Sequence, residues 1–357
     1  PMNAPYKATK ISEIGEFGLI DKLKNKISLY NNLTLKGIGD DCAVIKCQEK
    51  KEILISSDLL VEGVHFDTTY MSLAHIGYKA VIVNLSDVYS MNANPSQITI
   101  SLAVSNKYSV EDLEKLYEGV NLAAKNYKIN VVGGDVSASF SGLIISITVL
   151  GFQKKEKIIY RNGAKKNDLI VVSGDLGASY LGLQILQREK TILDEHKLPK
   201  LALNDIEDKL KDYKYLIQRQ VKPEVNLSAI NFLKLNNIKP HAMIDVSDGL
   251  FADLNHICNE SKLGFTLFEE ELPIHQQTKN ASLDFNIDHV LAALHGGEDY
   301  ELLFTIDKKN KDIILKEKNL KIIGEIIPDN NQRNMIKKSG EEISLGKLGW
   351  DHFGKTN

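Results

Sequence analysis

Asn84-Leu85-Ser86-Asp87 lies inside residues 75–91, where Tyr78, Val81, Ile82, Leu85, Val88 and Tyr89 recur at i, i+3, i+4, i+7 spacing. That period marks an amphipathic helix. Asn84 and Asp87 stand three apart and are expected to share a face away from most of the apolar stripe. A carboxylate on a helix otherwise rich in Ala, Val and Ile is a candidate for chemistry. Around this helix, residues 52–57, 97–104, 130–132 and 143–152 read as strands, and 110–127 as a second amphipathic helix. Strands for one sheet with helices on one side make the first half α+β. Upstream, residues 11–27 read as a helix weakened by Gly15 and Gly18, and Gly37-Ile38-Gly39-Asp40-Asp41 as a turn into a strand at 42–47.

A charged run at 154–157 divides the chain into expected domains 1–153 and 154–357. The second half reads as a buried strand at 169–173, then Gly174-Asp175-Leu176-Gly177 opening a helix at 178–187. Residues 188–216 are charge-rich and are expected to be exposed helices or an insertion. A helix is expected from Pro223. A strand at 241–245 leads into a helix at 250–261, and strands are expected at 300–305 and, last, 322–327.

The 357 residues are 43% hydrophobic and 25% charged, an ordinary globular composition with room for two domains. With 44 Lys and Arg against 47 Asp and Glu, the net charge of -3 lacks the basic bias of a nucleic-acid binder. Cys42, Cys47 and Cys258 form no CxxC pair, which argues against a disulfide framework and against zinc. No apolar stretch reaches the length of a membrane span, and residues 6–16 lack a signal-peptide core, so a cytoplasmic setting is expected.

Short acidic clusters recur beside Gly or Ser: Asp40-Asp41, Ser56-Ser57-Asp58, Ser86-Asp87, Gly134-Asp135, Asp245-Val246-Ser247-Asp248 and Gly297-Glu298-Asp299. Each alone is common turn chemistry. Together they suggest one carboxylate-rich site, and convergent carboxylates need a cation between them. Hard oxygen ligands favour Mg²⁺, and Mg²⁺ favours a phosphate-bearing substrate. The expected chemistry is magnesium-dependent phosphoryl transfer. Ser247 or Asp248 could equally cap a helix, and both roles are compatible. Arg161 reads as a surface residue or a cation for phosphate, His65 as loop packing or a substrate contact, Trp350 as tail packing or an aromatic platform. Residues 349–356 match GxxxxGK[ST], but a phosphate loop opens a helix and only Asn357 follows the match, so it is not read as one.

The motifs Gly37-Ile38-Gly39-Asp40-Asp41-Cys42-Ala43, Ser57-Asp58-Leu59-Leu60-Val61-Glu62-Gly63-Val64-His65-Phe66, Asn84-Leu85-Ser86-Asp87 and Gly133-Gly134-Asp135 resemble the thiamine-monophosphate kinase family. So do Arg161-Asn162-Gly163-Ala164, Ile244-Asp245-Val246-Ser247-Asp248-Gly249-Leu250, Gly296-Gly297-Glu298-Asp299-Tyr300-Glu301-Leu302 and Gly349-Trp350-Asp351-His352-Phe353. The resemblance runs from about residue 13 to 353. It implies the two-domain fold of the aminoimidazole ribonucleotide synthetase-like superfamily: an N-terminal α+β domain whose sheet pairs across a homodimer, and a C-terminal α/β domain. It implies ATP and several Mg²⁺ ions, with thiamine monophosphate as acceptor. Carried over by motif, Asp41, Ser56, Ser57, Asp58, Asp87, Asp135, Asp245 and Asp248 would hold metal, with Asp58, Asp87 and Asp135 central to catalysis. Tyr127, Gly134, Asp135, Arg161 and Ser247 would contact ATP, and His65, Glu298 and Trp350 the acceptor.

Two stretches depart from the family pattern. Residues 188–216 are long and lysine-rich, and Lys222-Pro223-Glu224-Val225-Asn226 lacks the Pro-Arg usual after the first proline. Within the superfamily, selenophosphate synthetase is disfavoured because no Cys precedes Gly37, and the hydrogenase-maturation relative because the tail lacks its terminal Cys. A nucleotide sensor without turnover and a phosphohydrolase are the remaining rivals.

Overall fold

The structure, a computed structural model, describes residues 9–10, 13–14, 19, 22–36, 44–45, 49–195 and 210–345. Asp40, Asp41, Cys42, Cys47, Trp350 and the 349–356 motif lie outside the described residues, as does part of the first expected helix. The chain forms two compact units. One comprises the described residues up to Val88 together with Ala93–Glu156, the other Tyr89–Asn92 and the described residues from Lys157 onward.

In the first unit a short ladder pairs β1 (Thr34–Lys36) with β2 (Val44–Ile45). The main sheet contains β3 (Glu52–Val61), β4 (Asn94–Val104), β5 (Asn130–Ala138) and β6 (Leu143–Gln153), in the order β3-β6-β4-β5. Helix α1 (Leu73–Ser90) joins β3 to β4, and α2 (Val110–Tyr127) joins β4 to β5. β4 and β5 are parallel, which requires a crossover such as α2 between them. A capping box starts α2: Asp112 N donates to Ser109 Oγ at 3.2 Å, and Ser109 N to Asp112 Oδ2 at 3.0 Å.

Two elements differ from the sequence expectation here. β3 continues past residue 57 to Val61, so Ser56, Ser57 and Asp58 lie mid-strand, not at a strand end. β5 likewise does not stop at 132. Gly133, Gly134 and Asp135 pair with Thr99, Ile100 and Ser101 as strand. The expected strand ended before these two glycines. Gly134 is instead required by proximity, since a Cβ there would lie 1.8 Å from the Ile100 carbonyl oxygen.

The second unit is built on a seven-stranded sheet, in the order β13-β12-β9-β11-β7-β10-β8. Its strands are β7 (Leu169–Ser173), β8 (Ala242–Asp245), β9 (Gly264–Phe268), β10 (Leu302–Ile306), β11 (Leu320–Ile327), β12 (Arg333–Ile336) and β13 (Glu342–Ser344). Pairing is antiparallel apart from β12 with β9. β7 is buried at every position, as a strand covered on both faces must be. Its helices among the described residues are α3 (Ala178–Glu195), α4 (Lys214–Val221), α5 (Leu227–Leu235), α6 (Leu250–Ser261), α7 (Gln276–Asp284), α8 (His289–His295) and the short α9 (Lys311–Ile314). β9 and α7 were not anticipated, and β12 and β13 follow the strand expected to be last. Pro223 does not start a helix. It falls between α4 and α5, and α5 is capped by Asn226, whose side chain accepts from Ala229 N at 3.1 Å.

α1 and α2 meet through glycine. A Cβ on Gly77 would lie 2.0 Å from Leu116 O, and one on Gly119 would lie 1.8 Å from Ala74 O. The two backbones therefore touch, which holds α1 in place over the sheet. Gly119→Ala is expected to force the helices apart at a cost of about 1–3 kcal/mol. The urea midpoint should fall. An unchanged midpoint would show that α1 is not held by this contact.

Candidate active site

The face of α1 that carries Asn84 and Asp87 does not look at solvent but lies on β3. Asn84 is fully buried; it accepts a hydrogen bond from Asp58 N at 3.0 Å and donates to Ala80 O at 2.9 Å. One turn on, Asp87 Oδ2 accepts the Ser56 hydroxyl in a short hydrogen bond. Asp58 is half-buried, and its carboxyl is pushed up to about 6, first by burial and then by the Asp87 charge. The donor set of Ser56, Asp58 and Asp87 is all oxygen with two like charges, which suits a hard divalent cation.

Ser57 and Asp135 are not part of this cluster. Successive residues of a strand point to opposite faces, and residues in register share a face. Asp58 is in register with Ile147, Ile100 and Gly134, where Ile147 and Ile100 are buried. Leu59 is in register with Ser146, Ser101 and Asp135 on the other, exposed face. Ser57 shares that face with Leu59, and its hydroxyl meets Ile147 O and Thr148 Oγ1, each at 3.1 Å. Asp58 and Asp135 thus sit on opposite faces of one sheet.

His65 closes a tight turn after β3. Its Nδ1 accepts from Val61 N at 3.0 Å, and its own amide donates to Val61 O at 2.9 Å. An accepting Nδ1 puts the ring proton on Nε2. Glu62 pins the same turn, accepting from Tyr108 Oη and Leu143 N at 2.8 Å each and pairing with Lys107. Tyr127 is buried at the end of α2.

In the second unit the 245–249 turn and the 296–302 loop are stitched together. Glu298 N donates to Ser247 O at 2.7 Å, Tyr300 N to Val246 O at 2.8 Å and Val246 N to Glu301 O at 2.8 Å. Glu298 and Tyr300 both adopt left-handed backbone, at φ 57° and 52°. For non-glycine residues this stores strain that the surroundings must hold, and such strain clusters at functional sites. Asp245 is buried at the end of β8, and Asp248 is exposed. Ser247 N and Asp248 N donate to Asp253 Oδ2 at 3.0 and 3.1 Å. Burial, then Asp245 and Asp248, push the Asp253 carboxyl well above the usual carboxylate range. Ligand atoms of Asp248, Asp253 and His256 lie within 4.8 Å of one another, so these three form a possible cation group. Arg161 is exposed in a short 3-10 turn, Arg161–Gly163.

Asp253 and His256 were missed in the sequence, although their i, i+3 spacing on α6 was a usable signal. Arg219 and Gln220 were also missed, because no motif or spacing marks them in the segment that follows the charge-rich run. Arg219 Nη1 pairs with Glu301 at 3.1 Å, and Nη2 donates to Asp175 O and Asp299 O at 3.2 Å each. The Asp299 carboxyl is pushed up to about 7 by burial, which outweighs the Arg219 charge and the Gly177 amide acting against it.

Residues 39–153 match the family model for AIR synthase related protein, N-terminal domain. The thiamine-monophosphate kinase of Buchnera aphidicola subsp. Schizaphis graminum is 36% identical over 347 residues, which cover 96% of this chain and 99% of that one. That of Aquifex aeolicus is 34% identical over 344 residues, covering 96% and 100%. Among solved structures, thiamine-monophosphate kinase from Stenotrophomonas maltophilia K279a has a TM-score of 0.73 at 30% identity, over 92% of this chain and 98% of that one. AaThiL complexed with AMPPCP and TMP has a TM-score of 0.71 at 32% identity, over 97% and 99%. Likeness to hydrogenase maturation protein HypE, TM-score 0.70 at 17% identity, concerns the fold alone. Identity above 30% sustained over nearly the whole of both chains, on an AIR synthase-like fold, means that this chain belongs to the thiamine-monophosphate kinase family.

Proposed function

We propose that this chain transfers the γ-phosphoryl group of ATP to thiamine monophosphate, giving thiamine diphosphate and ADP by direct in-line attack. The observation that carries the proposal is the Ser56, Asp58 and Asp87 cluster: a divalent cation there would relieve the like charges and give the phosphates an anchor. Family membership and the complex of a relative with AMPPCP and TMP support the choice of donor and acceptor.

The acceptor phosphate is already ionised at neutral pH and needs little general-base help. The difficulty is bringing two anions together, about 4 kcal/mol per pair of unit charges at 4 Å and intermediate dielectric. Asp58, Asp87 and Ser56, with Asp41, Ser57, Asp135, Asp245 and Asp248, would hold Mg²⁺. When bound, Mg²⁺ supplies the charge neutralisation that lets the two phosphates meet. The division of these ligands between two sheet faces and a second unit favours more than one ion. Tyr127, Gly134, Asp135, Arg161 and Ser247 would take ATP, with the Arg161 guanidinium suited to phosphate. On the acceptor, His65 would offer its Nε2–H, Glu298 a carboxylate for the cationic or amino-bearing ring, and Trp350 a stacking surface. Catalysis is then positioning and charge balance, with no phosphoenzyme.

A second copy of the chain is proposed on the exposed face of the four-stranded sheet. Ile53, Ile55 and Leu59 are 51%, 67% and 53% exposed there, in alternation along an edge strand. Apolar side chains grouped on an open face are unusual in a monomer. Light scattering at micromolar concentration is expected to give twice the chain mass, and a monomer would contradict this arrangement.

The function is tested by incubating the protein with ATP, Mg²⁺ and thiamine monophosphate and separating products. Thiamine diphosphate formed in step with ADP is expected; free phosphate alone would make the protein a phosphohydrolase. Asp87→Asn should lower kcat at least about a hundredfold, near 2.7 kcal/mol of transition-state stabilisation, with the fold retained. A near-normal rate at saturating Mg²⁺ would remove Asp87 from the site.

A further inference from the structure

Glu298 sits on a strained loop, and a carboxylate on such a loop is useful only if something fixes its direction. Asp299 and Glu301 turn into the second unit, where they are 1% and 4% exposed, while Glu298, itself in left-handed backbone, stays half-buried. The inward residues are anchored on three sides. Asp299 accepts from Gly177 N at 2.8 Å and Ser179 N at 3.4 Å, at the start of α3. Glu301 accepts from Ser173 Oγ at 2.5 Å and Asn226 Nδ2 at 2.8 Å, and pairs with Arg219. Arg219 also donates to the Asp299 carbonyl, so one guanidinium grips both the backbone and a side chain of the loop.

The next residue reaches Glu298 itself. Gln220 is 2% exposed, and its Nε2 donates to Glu298 Oε2 at 2.8 Å while its Oε1 accepts from Ser179 Oγ at 2.6 Å. The amide orientation follows from chemistry: an ionised carboxylate only accepts, so the NH₂ end must face Glu298. Ser179 then locks the other end. A buried amide satisfied at both ends has one low-energy pose, and a hydrogen bond to a charged group inside a protein is among the stronger kinds.

We propose that Gln220 is a positioning residue that aims the Glu298 carboxylate at the acceptor, on a loop clamped by its neighbour Arg219. Gln220 touches neither substrate nor phosphate. It restricts Glu298 to one direction, so the acceptor meets a pre-set partner and does not have to order it on binding. The inference rests on the proposed contact between Glu298 and thiamine monophosphate.

The test is a pair of variants with two readouts. Gln220→Leu, and Gln220→Glu as a variant that keeps an acceptor for Ser179, should each raise KM for thiamine monophosphate roughly tenfold, with KM for ATP unchanged. In a Glu298→Ala background the same changes should add nothing, because the residue to be aimed is gone. Equal shifts in both KM values, or effects that add in full to Glu298→Ala, would overturn the role. If Gln220→Leu loses its native circular dichroism, the Gln220→Glu cycle decides. Calorimetric binding of thiamine monophosphate to the wild type separates the two levels. No binding overturns the acceptor assignment and this role together, whereas binding that Gln220→Glu leaves unaltered overturns this role alone.

Discussion

Repulsion between Asp58 and Asp87 is the constraint around which the first unit is arranged. The Ser56 hydroxyl and the Asn84 amide fasten α1 to β3, and this brings the two carboxylates to one place. The glycine contact between α1 and α2 fixes the helix from the other side. A fold optimised for stability alone would not bury half of a carboxylate beside a like charge. It suits the proposed function, in which a cation and phosphates would complete the charge balance.

The second unit solves a different problem with the same means. Its loop at 296–302 adopts backbone that costs of order 1–3 kcal/mol at each strained residue. The backbone bonds to the 245–249 turn, the amides at the start of α3 and the Arg219 guanidinium together hold it. Burial weakens Asp299 as an anion, so the loop does not depend on a full ion pair there but on amide donors and on Glu301. Lys222-Pro223-Glu224-Val225-Asn226 offers no arginine, and Asn226 bonds Glu301 beside Arg219, so the cation for this loop comes from within α4.

Much of this was legible in the sequence. The amphipathic period of α1 and α2 was read at nearly its true positions, because burial on one face imposes a pattern, and β6 was placed by its β-branched residues. Motif order alone pointed to the family. What was missed shares a physical cause: the property depended on pairing partners. The strand at 130–132 reads as ending before Gly133-Gly134 until β4 is known to lie beside it. Ser57 and Asp58 read as joint ligands until register puts them on opposite faces. Arg219 and Gln220 are unremarkable until the loop they hold is folded against them. The parts of the proposed site at Asp41 and Trp350 lie outside the described residues, and their roles rest on motif alone.

The central claim, that Asp58 beside Asp87 awaits a cation, is tested most directly by thermal unfolding of wild type and Asp58→Asn against pH, with and without Mg²⁺. A carboxyl raised from 3.8 to about 6 on folding contributes stability that is present at low pH and lost as pH rises through 6. In metal-free buffer the variant should therefore be the more stable protein at pH 7, with the gap closing as pH falls towards 4. Mg²⁺ should raise the wild-type Tm and reverse or erase the gap. A difference between the two proteins that ignores both pH and Mg²⁺ would contradict the account.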